Sequence, residues 1–310
     1  MRRAPEIQDT AERNADSPAH IWPEKIPPRL AMKIGGDDAG PIARQVVPRA
    51  EERRPSAGFT SDPVGDRRAD SGDGLLVKYD GRALLLTTMR CAVHCRFCFR
   101  KAYPSGFHPD PTTRKNAVAR LAEMPRIHEI ILSGGDPLML SNDELAATLG
   151  QINAIPHIER IRIHTRMLTA APDRIDEPLC RLLATRKQLI IVTHVNHPDE
   201  LDDDTKAALE RLERETKTPH PLILLNQSVL LRDVNDNVES LIALSEKLIS
   251  QGIVPYYLHQ LDRVIGAHHF EVPVEKGLRL IDEMRRRCPG YMVPRYVREI
   301  PGEPSKTPLF

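Results

Sequence analysis

Short β-rich runs alternate with longer amphipathic segments from about residue 75 to the end of the 310-residue chain. This alternation is typical of parallel strands joined by crossover helices, in an open or closed α/β barrel whose chemistry lies at the carboxyl ends of the strands. The predicted strands are Ala83–Thr88, Glu129–Ser133, Arg160–Thr165, Leu189–His194, Leu222–Leu225, Val254–His259 and Met292–Val297. The predicted helices are Thr112–Glu123, Asn142–Ile152, Asp173–Thr185, Asp202–Glu215, Val238–Ser250 and Val274–Arg287.

Residues 1–72 differ in composition from the rest of the chain, because they are rich in Pro, Arg, Asp and Gly and show weak hydrophobic periodicity. Such a stretch buries too little apolar surface to offset the entropy lost on ordering. We therefore predict a partly disordered N-terminal arm over residues 1–72 and a barrel over residues 73–310. Trp22 is the only tryptophan, and we expect it to anchor the arm on the barrel.

The charge balance argues against polyanionic partners. Lys and Arg total 44 and Asp and Glu total 43, so the chain has no electrostatic footprint for nucleic acid or an anionic membrane. It also lacks an apolar stretch of membrane-spanning length. Five cysteines in a chain this long do not form a disulfide framework, which predicts a reducing cytoplasm. We expect Cys180 and Cys288 to be buried as small apolar residues.

Three of the cysteines, Cys91, Cys95 and Cys98, have the spacing C-x3-C-x2-C and directly follow the first predicted strand. Three thiolates are one fewer than the four irons of a 4Fe–4S cluster, so one iron would be open to a small molecule. The alternative is a structural zinc site, but zinc normally has four protein ligands in such sites. No fourth cysteine lies nearby, and His94 lies inside the motif, where it is poorly placed to complete the shell. The spacing therefore favours the cluster.

The cysteine segment resembles the radical S-adenosylmethionine superfamily, in which S-adenosylmethionine binds the open iron and is cleaved to a 5′-deoxyadenosyl radical. From Leu75 onward the chain is similar to the lysine 2,3-aminomutase family, and most of all to the branch that makes β-lysine for elongation factor P. The matching stretches are Cys91–Arg100, Leu132–Leu138, Leu225–Asp236, Pro255–His259 and Gly302–Pro308. The resemblance implies an α/β fold, a partial (β/α)6-type barrel with an irregular N-terminal arm.

The resemblance also implies pyridoxal 5′-phosphate as a cofactor. Lys306 matches the lysine that holds it as a Schiff base, although a lysine in a Gly- and Pro-rich loop is by itself more typical of a solvated surface. Tyr79, Arg82 and Gln227 match positions around the cofactor phosphate. Lys78 stands where the enzymes that act on free lysine have Arg, which keeps the charge but not the bidentate geometry.

Gly134, Gly135 and Asp136 match the turn that binds S-adenosylmethionine in the family, and they follow an apolar strand. Glycines at such a turn allow the backbone to approach a ligand closely. The alternative for this sequence alone is a simple turn. His194 and Asn196 end another predicted strand and match positions near the cofactors, although a histidine at a strand end is often structural.

Three further residues match positions that bind the substrate lysine. Arg100 matches the arginine that binds the carboxylate, and Asp262 matches an acid that binds the ε-ammonium. Glu299 stands where the enzymes that act on free lysine use a second Asp. Two acids around a partly enclosed ammonium offset its desolvation better than one, and they disfavour a substrate with an anionic tail such as glutamate.

The enzymes that act on free lysine also bind structural zinc, using a cysteine-rich C-terminal extension and a cysteine nearer the middle of the chain. Asn237 occupies the position of that central cysteine, and the sequence stops at Phe310, soon after Lys306. We therefore expect no zinc.

The resemblance implies an isomerase that converts L-α-lysine to β-lysine, with a 4Fe–4S cluster, S-adenosylmethionine and pyridoxal 5′-phosphate as cofactors. The radical removes a hydrogen from the β-carbon, and the amino group moves from Cα to Cβ. The resemblance further implies an electron donor such as flavodoxin or ferredoxin, a homo-oligomer, and a link to the ligase that modifies elongation factor P. Two alternatives stay open: a 2,3-aminomutase of free lysine or another amino acid, and a non-catalytic iron–sulfur electron carrier.

Overall fold

A computed structural model describes residues 22–103 and 106–310 and contains one nine-stranded sheet in which the strands follow chain order. The strands are β1 Leu75–Tyr79, β2 Arg82–Thr88, β3 Glu129–Gly134, β4 Arg160–Thr165, β5 Gln188–His194, β6 Ile223–Val229, β7 Val254–His259, β8 Arg295–Arg298 and β9 Thr307–Pro308. Strands β2 to β8 are parallel, whereas β1 and β9 pair antiparallel at the two edges. Within the described ranges no pairing joins β1 to β9, so the sheet is open and the predicted partial α/β barrel is confirmed.

Helices connect the parallel strands. The α-helices are α1 Pro28–Ile34, α2 Pro41–Val46, α3 Asp66–Ala69, α4 Pro111–Ala122, α5 Asn142–Asn153, α6 Met167–Ala170, α7 Glu177–Leu182, α8 Asp203–Glu215, α9 Val238–Ser250 and α10 Val274–Arg287. Helix α5 begins with a capping box: the Ser141 hydroxyl accepts the Glu144 N–H, and the Glu144 carboxylate accepts the Ser141 N–H, both at 3.2 Å. None of the helices in the described part of the chain is both long and apolar enough to span a bilayer.

The two faces of the sheet differ in polarity because alternate residues of a strand point to opposite sides. On β4, Ile161 and Ile163 are buried in the core formed with the surrounding helices, and each such side chain contributes about 1.5–3 kcal/mol by burial. Arg162 and His164 therefore lie on the opposite, inner face of the sheet. A sheet with an apolar outer face and a polar inner face leaves its functional groups inside the barrel.

Three predicted elements differ from the structure by three or more residues at one or both ends, and one of them is the predicted strand Leu222–Leu225, which continues to Val229 as β6. The predicted helix Asp173–Thr185 is shortened to α7, because Asp176 caps it by accepting the Leu179 N–H at 2.8 Å. The predicted strand Met292–Val297 begins later, at Arg295, because Pro294 before it has no N–H to donate to a neighbouring strand. The edge strands β1 and β9 were not predicted.

The described part of the arm, from residue 22, packs on the barrel near the cysteine motif. Leu30, Ile42 and Val46 form an apolar cluster with Val93 and Ala170 of the barrel. Residues 1–21 lie outside the described residues, so the predicted partial disorder and the boundary at residue 72 stay predictions.

An ion pair ties this arm to the cysteine motif itself. Arg96 lies between the second and third cysteines, its side chain is fully buried, and it pairs with Glu52 at 2.5 Å. Its Nη2 also donates to the carbonyl oxygen of Trp22 at 2.8 Å, and the Trp22 ring lies 4.3 Å from that of His94. The arm therefore holds the loop that carries the cysteines.

Cys180 and Cys288 differ in exposure. Cys180 lies in helix α7 and is fully buried in the core, as predicted. Cys288 follows the last turn of α10 and is only partly buried, because that helix end reaches the surface, so the prediction for it is wrong.

Candidate active site

The cysteine loop begins where β2 ends, at the carboxyl edge of the sheet. Burial raises the pKa of the Cys98 thiol to about 11, with a further contribution from Cys95. Burial and then the nearby thiol of Cys98 also raise the pKa of Cys91. Cys91 and Cys98 thus each face a neighbouring thiol of the same loop, as ligands of one iron cluster would, because bound iron offsets the repulsion between thiolates.

The spacing of these thiols also bears on the kind of metal centre. No three His, Cys, Asp or Glu side chains of residues 22–103 and 106–310 converge closely enough to hold a single metal ion. In a cubane cluster each cysteine binds a different iron, so its thiolates stand further apart than the ligands of one ion. Three cysteines on one loop would therefore supply ligands to three of the four irons, as the spacing of the motif predicts.

Arg166, directly after β4, brings a positive charge to this loop. Its Nη1 lies 2.6 Å from Cys95 Sγ, and its Nη2 donates to Glu200 at 2.9 Å and to Gln45 at 2.7 Å. Glu200 and Gln45 are buried and come from outside the sheet. Arg166 is therefore fixed by two partners beside a residue that would bind iron as a thiolate.

The Gly134–Asp136 turn packs directly against the start of the cysteine loop. Gly135 donates its N–H to the carbonyl oxygen of Thr88 at 2.6 Å. A Cβ would lie 2.3 Å from that oxygen at Gly134, where φ is +115°, and 2.2 Å from the carbonyl oxygen of Arg90 at Gly135. Both positions therefore require glycine for close backbone contact within the protein, irrespective of any ligand.

Asp136, the third residue of that turn, is buried and uses both carboxylate oxygens within the protein. It accepts hydrogen bonds from the Thr165 hydroxyl at 2.9 Å and from the backbone N–H of Arg166 at 2.8 Å. These bonds join the carboxyl end of β3 to that of β4. In this structure Asp136 therefore positions the turn rather than offering a free carboxylate.

Neutral imidazoles lie further inside the barrel. The Nε2 atoms of His164, His194 and His259 are buried and have no hydrogen-bond partner in the described part of the chain. Burial lowers the pKa of His194 to about 3 and holds the pKa of His164 and His259 well below the usual value. The His194 ring packs edge-on against Phe97 of the cysteine loop at 5.6 Å. Gln227, also predicted to bind a cofactor, pairs in register with His194 on the neighbouring strand.

Lys306 and Glu299 meet at the mouth of the barrel, where the chain leaves β8 and returns as β9. Lys306 Nζ lies 2.5 Å from Glu299 Oε2, and Lys78 Nζ lies 3.0 Å from Glu299 Oε1. Burial alone would raise the pKa of Glu299, but the two ammonium groups lower it to about 2. The structure therefore places the Lys306 side chain against a carboxylate that stays ionised at neutral pH.

Asp262 lies close to this pair but has no cation of its own. Its carboxylate forms neither a salt bridge nor a hydrogen bond with the residues that the structure describes. Burial and the charge of Glu299 raise its pKa to about 7. This region of the site therefore has capacity for one further positive charge.

Tyr79 and Arg82 line the same mouth from the edge strand β1 and the start of β2. The Arg82 guanidinium lies over the Tyr79 ring, 4.5 Å from its centre. Burial and then Glu299 raise the pKa of Tyr79, so its hydroxyl stays protonated. Two of the three predicted phosphate-binding residues, Tyr79 and Arg82, thus lie together, with Tyr79 close to Glu299, the partner of Lys306.

Arg100 directly follows the cysteine loop and reaches towards the same mouth. Its Nε donates to Asp66 at 2.7 Å, and its Nη1 donates to the Ser133 hydroxyl at 3.1 Å. Asp66 also contacts Lys78 at 2.5 Å. A series of contacts thus joins Arg100, next to the cysteine loop, to Glu299 and Lys306 along one edge of the barrel.

Comparison with known proteins identifies the family of the chain. The Radical SAM superfamily model matches residues 85–221. The L-lysine 2,3-aminomutase of Escherichia coli is 44% identical over 90% of this chain and 80% of its own length, and that of Haemophilus influenzae is 41% identical over 91% and 83%. The chain belongs to the lysine 2,3-aminomutase family of radical SAM proteins.

Other members of the aminomutase family are more distant. The L-lysine 2,3-aminomutase of Clostridium subterminale is 34% identical over 90% of this chain and 67% of its own length. A solved radical SAM methyltransferase from Sphaerobacter thermophilus has a TM-score of 0.49 and 20% identity over 72% of this chain and 68% of that one. Membership of the radical SAM superfamily implies a 4Fe–4S cluster and S-adenosylmethionine, and membership of the aminomutase family implies an isomerase.

Several residues of this aminomutase site were missed by sequence reasoning: Asp66, Arg166, Glu200, Gln45, His164 and His259. Arg166, His164 and His259 lie at or next to the carboxyl ends of predicted strands. Functional residues collect there in parallel sheets, so their position in the sequence was a usable signal. Asp66 lies in the polar arm, and no sequence signal distinguishes it from the other acids there.

Proposed function

We propose that this protein interconverts L-α-lysine and β-lysine, using pyridoxal 5′-phosphate in addition to the iron–sulfur cluster and S-adenosylmethionine. The observation that carries the proposal is the arrangement of charges at the barrel mouth. Arg100 has one guanidinium nitrogen, Nη2, without a hydrogen bond in the described part of the chain, while Asp262 and Glu299 offer carboxylates near Lys306. An amino acid with a cationic tail matches both ends of this arrangement.

The residues present fit the two resident cofactors. Cys91, Cys95 and Cys98 would hold the cluster, and Lys306 would hold the pyridoxal group, with Arg82 near its phosphate. When bound, the cluster supplies an electron that cleaves S-adenosylmethionine to a carbon radical, and pyridoxal phosphate supplies an aldehyde that reacts with amines.

The protein's own residues bind and orient the substrate. Arg100 would bind the carboxylate through its free edge, since a guanidinium fork matches carboxylate geometry. Asp262 would bind the ε-ammonium, and Glu299 would join it once Lys306 has lost its positive charge. The two carboxylates repel an anionic tail, which disfavours glutamate and aspartate. The barrel interior limits access of water and of other C–H bonds to a radical.

The cellular role is a finer proposal. We propose that the β-lysine is used to modify elongation factor P in the cytoplasm, with an electron supplied by flavodoxin or ferredoxin and with the enzyme acting as a homo-oligomer. The support is the sequence resemblance to that branch, including Asn237 in place of a zinc-binding cysteine. The test is to add elongation factor P and its ligase to the reaction product and to measure which amino acid is attached to the factor. The proposed role requires that β-lysine is attached in preference to α-lysine.

Anaerobic reconstitution tests the reaction. The protein is loaded with iron, sulfide and pyridoxal phosphate, then mixed with dithionite, S-adenosylmethionine and L-lysine, and β-lysine is measured by mass spectrometry after chiral derivatisation. β-Lysine above a control without S-adenosylmethionine supports the proposal. If 5′-deoxyadenosine forms without β-lysine, the protein is still a radical S-adenosylmethionine enzyme, but lysine is not its substrate. Cys95→Ala serves as the inactive control, because it removes a ligand of the cluster.

A further inference from the structure

Five alternating charges connect the two ends of the proposed substrate site: Arg100, Asp66, Lys78, Glu299 and Lys306. Each neighbour in this series is in contact with the next, at 2.7, 2.5, 3.0 and 2.5 Å in turn. We infer that Asp66, from the N-terminal arm, is a positioning residue that fixes the spacing between the carboxylate end and the ammonium end of the substrate site. This inference rests on the proposed function.

Asp66 is itself rigidly held. Its side chain is only 3% exposed, and each carboxylate oxygen contacts a different cation, Oδ1 that of Lys78 and Oδ2 that of Arg100. Its backbone N–H donates to the Asp62 carboxylate at 2.9 Å, as does the N–H of Arg67 at 3.1 Å. Asp62 thereby fixes the first turn of α3, on which Asp66 lies.

At one end, Asp66 determines which edge of Arg100 is free. The Nε–H is used by Asp66 and one Nη1–H by Ser133, and Nη2 makes no hydrogen bond to residues 22–103 or 106–310. Nη1 and Nη2 together form the edge that binds a carboxylate through two parallel bonds. The carboxylate of Asp66 thus occupies the Nε position and leaves the Nη1–Nη2 edge for the substrate.

At the other end, Asp66 acts through Lys78 on Glu299. An ammonium group has three N–H donors, and those of Lys78 point to Asp66, to Glu299 and to the carbonyl oxygen of Val64 at 2.8 Å. Lys78 therefore has no freedom to move without breaking a contact. Because one carboxylate holds both cations, the distance from Arg100 to Glu299 is fixed, and with it the length of substrate that fits.

Loss of the Asp66 charge would remove this spacer. In Asp66→Asn, two partly buried cations, Arg100 and Lys78, repel each other across a neutral amide, so Arg100 no longer has a fixed orientation. A displacement of about 1 Å in a positioning group lowers reaction rates about 100-fold. We expect kcat/KM for L-lysine to fall by about that factor, mostly as a rise in KM, since both substrate ends are misplaced in the ground state.

The experiment uses the fully reconstituted enzyme and compares L-lysine with L-ornithine, which is one methylene shorter. Asp66→Asn should raise KM for lysine. It should also lower the ratio of kcat/KM for lysine to kcat/KM for ornithine. Iron content and pyridoxal absorbance should stay as in the wild type. Asp73→Asn is the matched control. It breaks a contact of 2.6 Å between the segment that leads into β1 and Arg120 of α4, without touching Arg100 or Lys78, so both kinetic quantities should stay unchanged.

Asp66→Glu keeps the charge and covers the case in which Asp66→Asn does not fold. It shifts the spacer by one methylene, and we expect a smaller rise in KM for lysine with full cofactor content. An unchanged KM and an unchanged lysine-to-ornithine ratio in every folded Asp66 variant would overturn the inference. A wild-type enzyme that makes no β-lysine would instead reject the proposed function, so the two failures are distinct.

Discussion

Asp262 should make substrate binding depend on pH near neutrality. Burial and then the charge of Glu299 raise its pKa to about 7. As the pH falls below that value, the carboxyl gains a proton and its negative charge disappears. Its attraction for the ε-ammonium of lysine therefore weakens in acid and strengthens above neutrality.

The size of the effect follows from the titration. A carboxyl with a pKa of about 7 is ionised in about one molecule in eleven at pH ~6 and in about ten in eleven at pH ~8. If only the ionised form binds lysine productively, kcat/KM rises about tenfold over that interval. The positive charge of Lys306 lowers the pKa of Asp262. If Lys306 loses that charge in the working enzyme, the pKa of Asp262 rises, and the inflection of the pH–rate curve moves above 7.

The assay is kcat/KM for L-lysine as a function of pH, with S-adenosylmethionine saturating and the enzyme reconstituted anaerobically. Asp262→Asn removes the titrating group, so this variant should be slower at pH ~8 and nearly independent of pH. A wild-type profile that is flat across neutrality would refute the reasoning. The same slope in wild type and Asp262→Asn would refute it as well, because the titration would then belong to the substrate or to another residue.

Three further predictions concern the loop, the turn and the cofactor lysine. Glu52→Gln leaves the buried guanidinium of Arg96 without its charged partner, and should lower the free energy of unfolding in urea by about 3–5 kcal/mol. Gly135→Ala forces a methyl group against a backbone oxygen of the cysteine loop and should reduce bound iron and the melting temperature, whereas Gly150→Ala, in open space on α5, should stabilise by about 0.5–1 kcal/mol. Lys306→Ala should abolish the absorbance of lysine-bound pyridoxal phosphate at unchanged iron content, and a persisting chromophore would contradict its assignment.

The parallel part of the sheet could be predicted from the sequence, because each of its strands carries an apolar outer face. Strand β4 is an example, with Ile161 and Ile163 buried and Arg162 facing inward. The edge strands have no such signal. β9 is only two residues long and includes Pro308, and β1 ends on the polar pair Lys78–Tyr79. A short edge strand that pairs with a single neighbouring strand needs little intrinsic β-propensity, so β-propensity does not predict it.

Candidate site residues fall into three groups, according to what marks them in the sequence. The cysteines and Lys306 were predictable because spacing and resemblance mark them individually. Arg166 and His259 carry no motif of their own, and only the fold brings them to the cysteines or to the mouth. The glycine turn shows a third case: its glycines were predicted for approach to a ligand, but in the structure they are required by the backbone of the neighbouring loop.

The described part of the arm, residues 22–72, is held on the barrel by charged as well as apolar side chains. Composition reports only the apolar burial that a segment can supply, and the arm has few residues for it. In the structure, charged residues contribute in its place: Glu52 pairs with the buried Arg96, and Asp66 pairs with Arg100 and Lys78. Such pairs stabilise only when the geometry is good and both partners are enclosed, and a sequence pattern reports neither condition. Since one pair holds the cysteine loop and the other the substrate end, variants of the arm should affect cluster retention and lysine affinity separately.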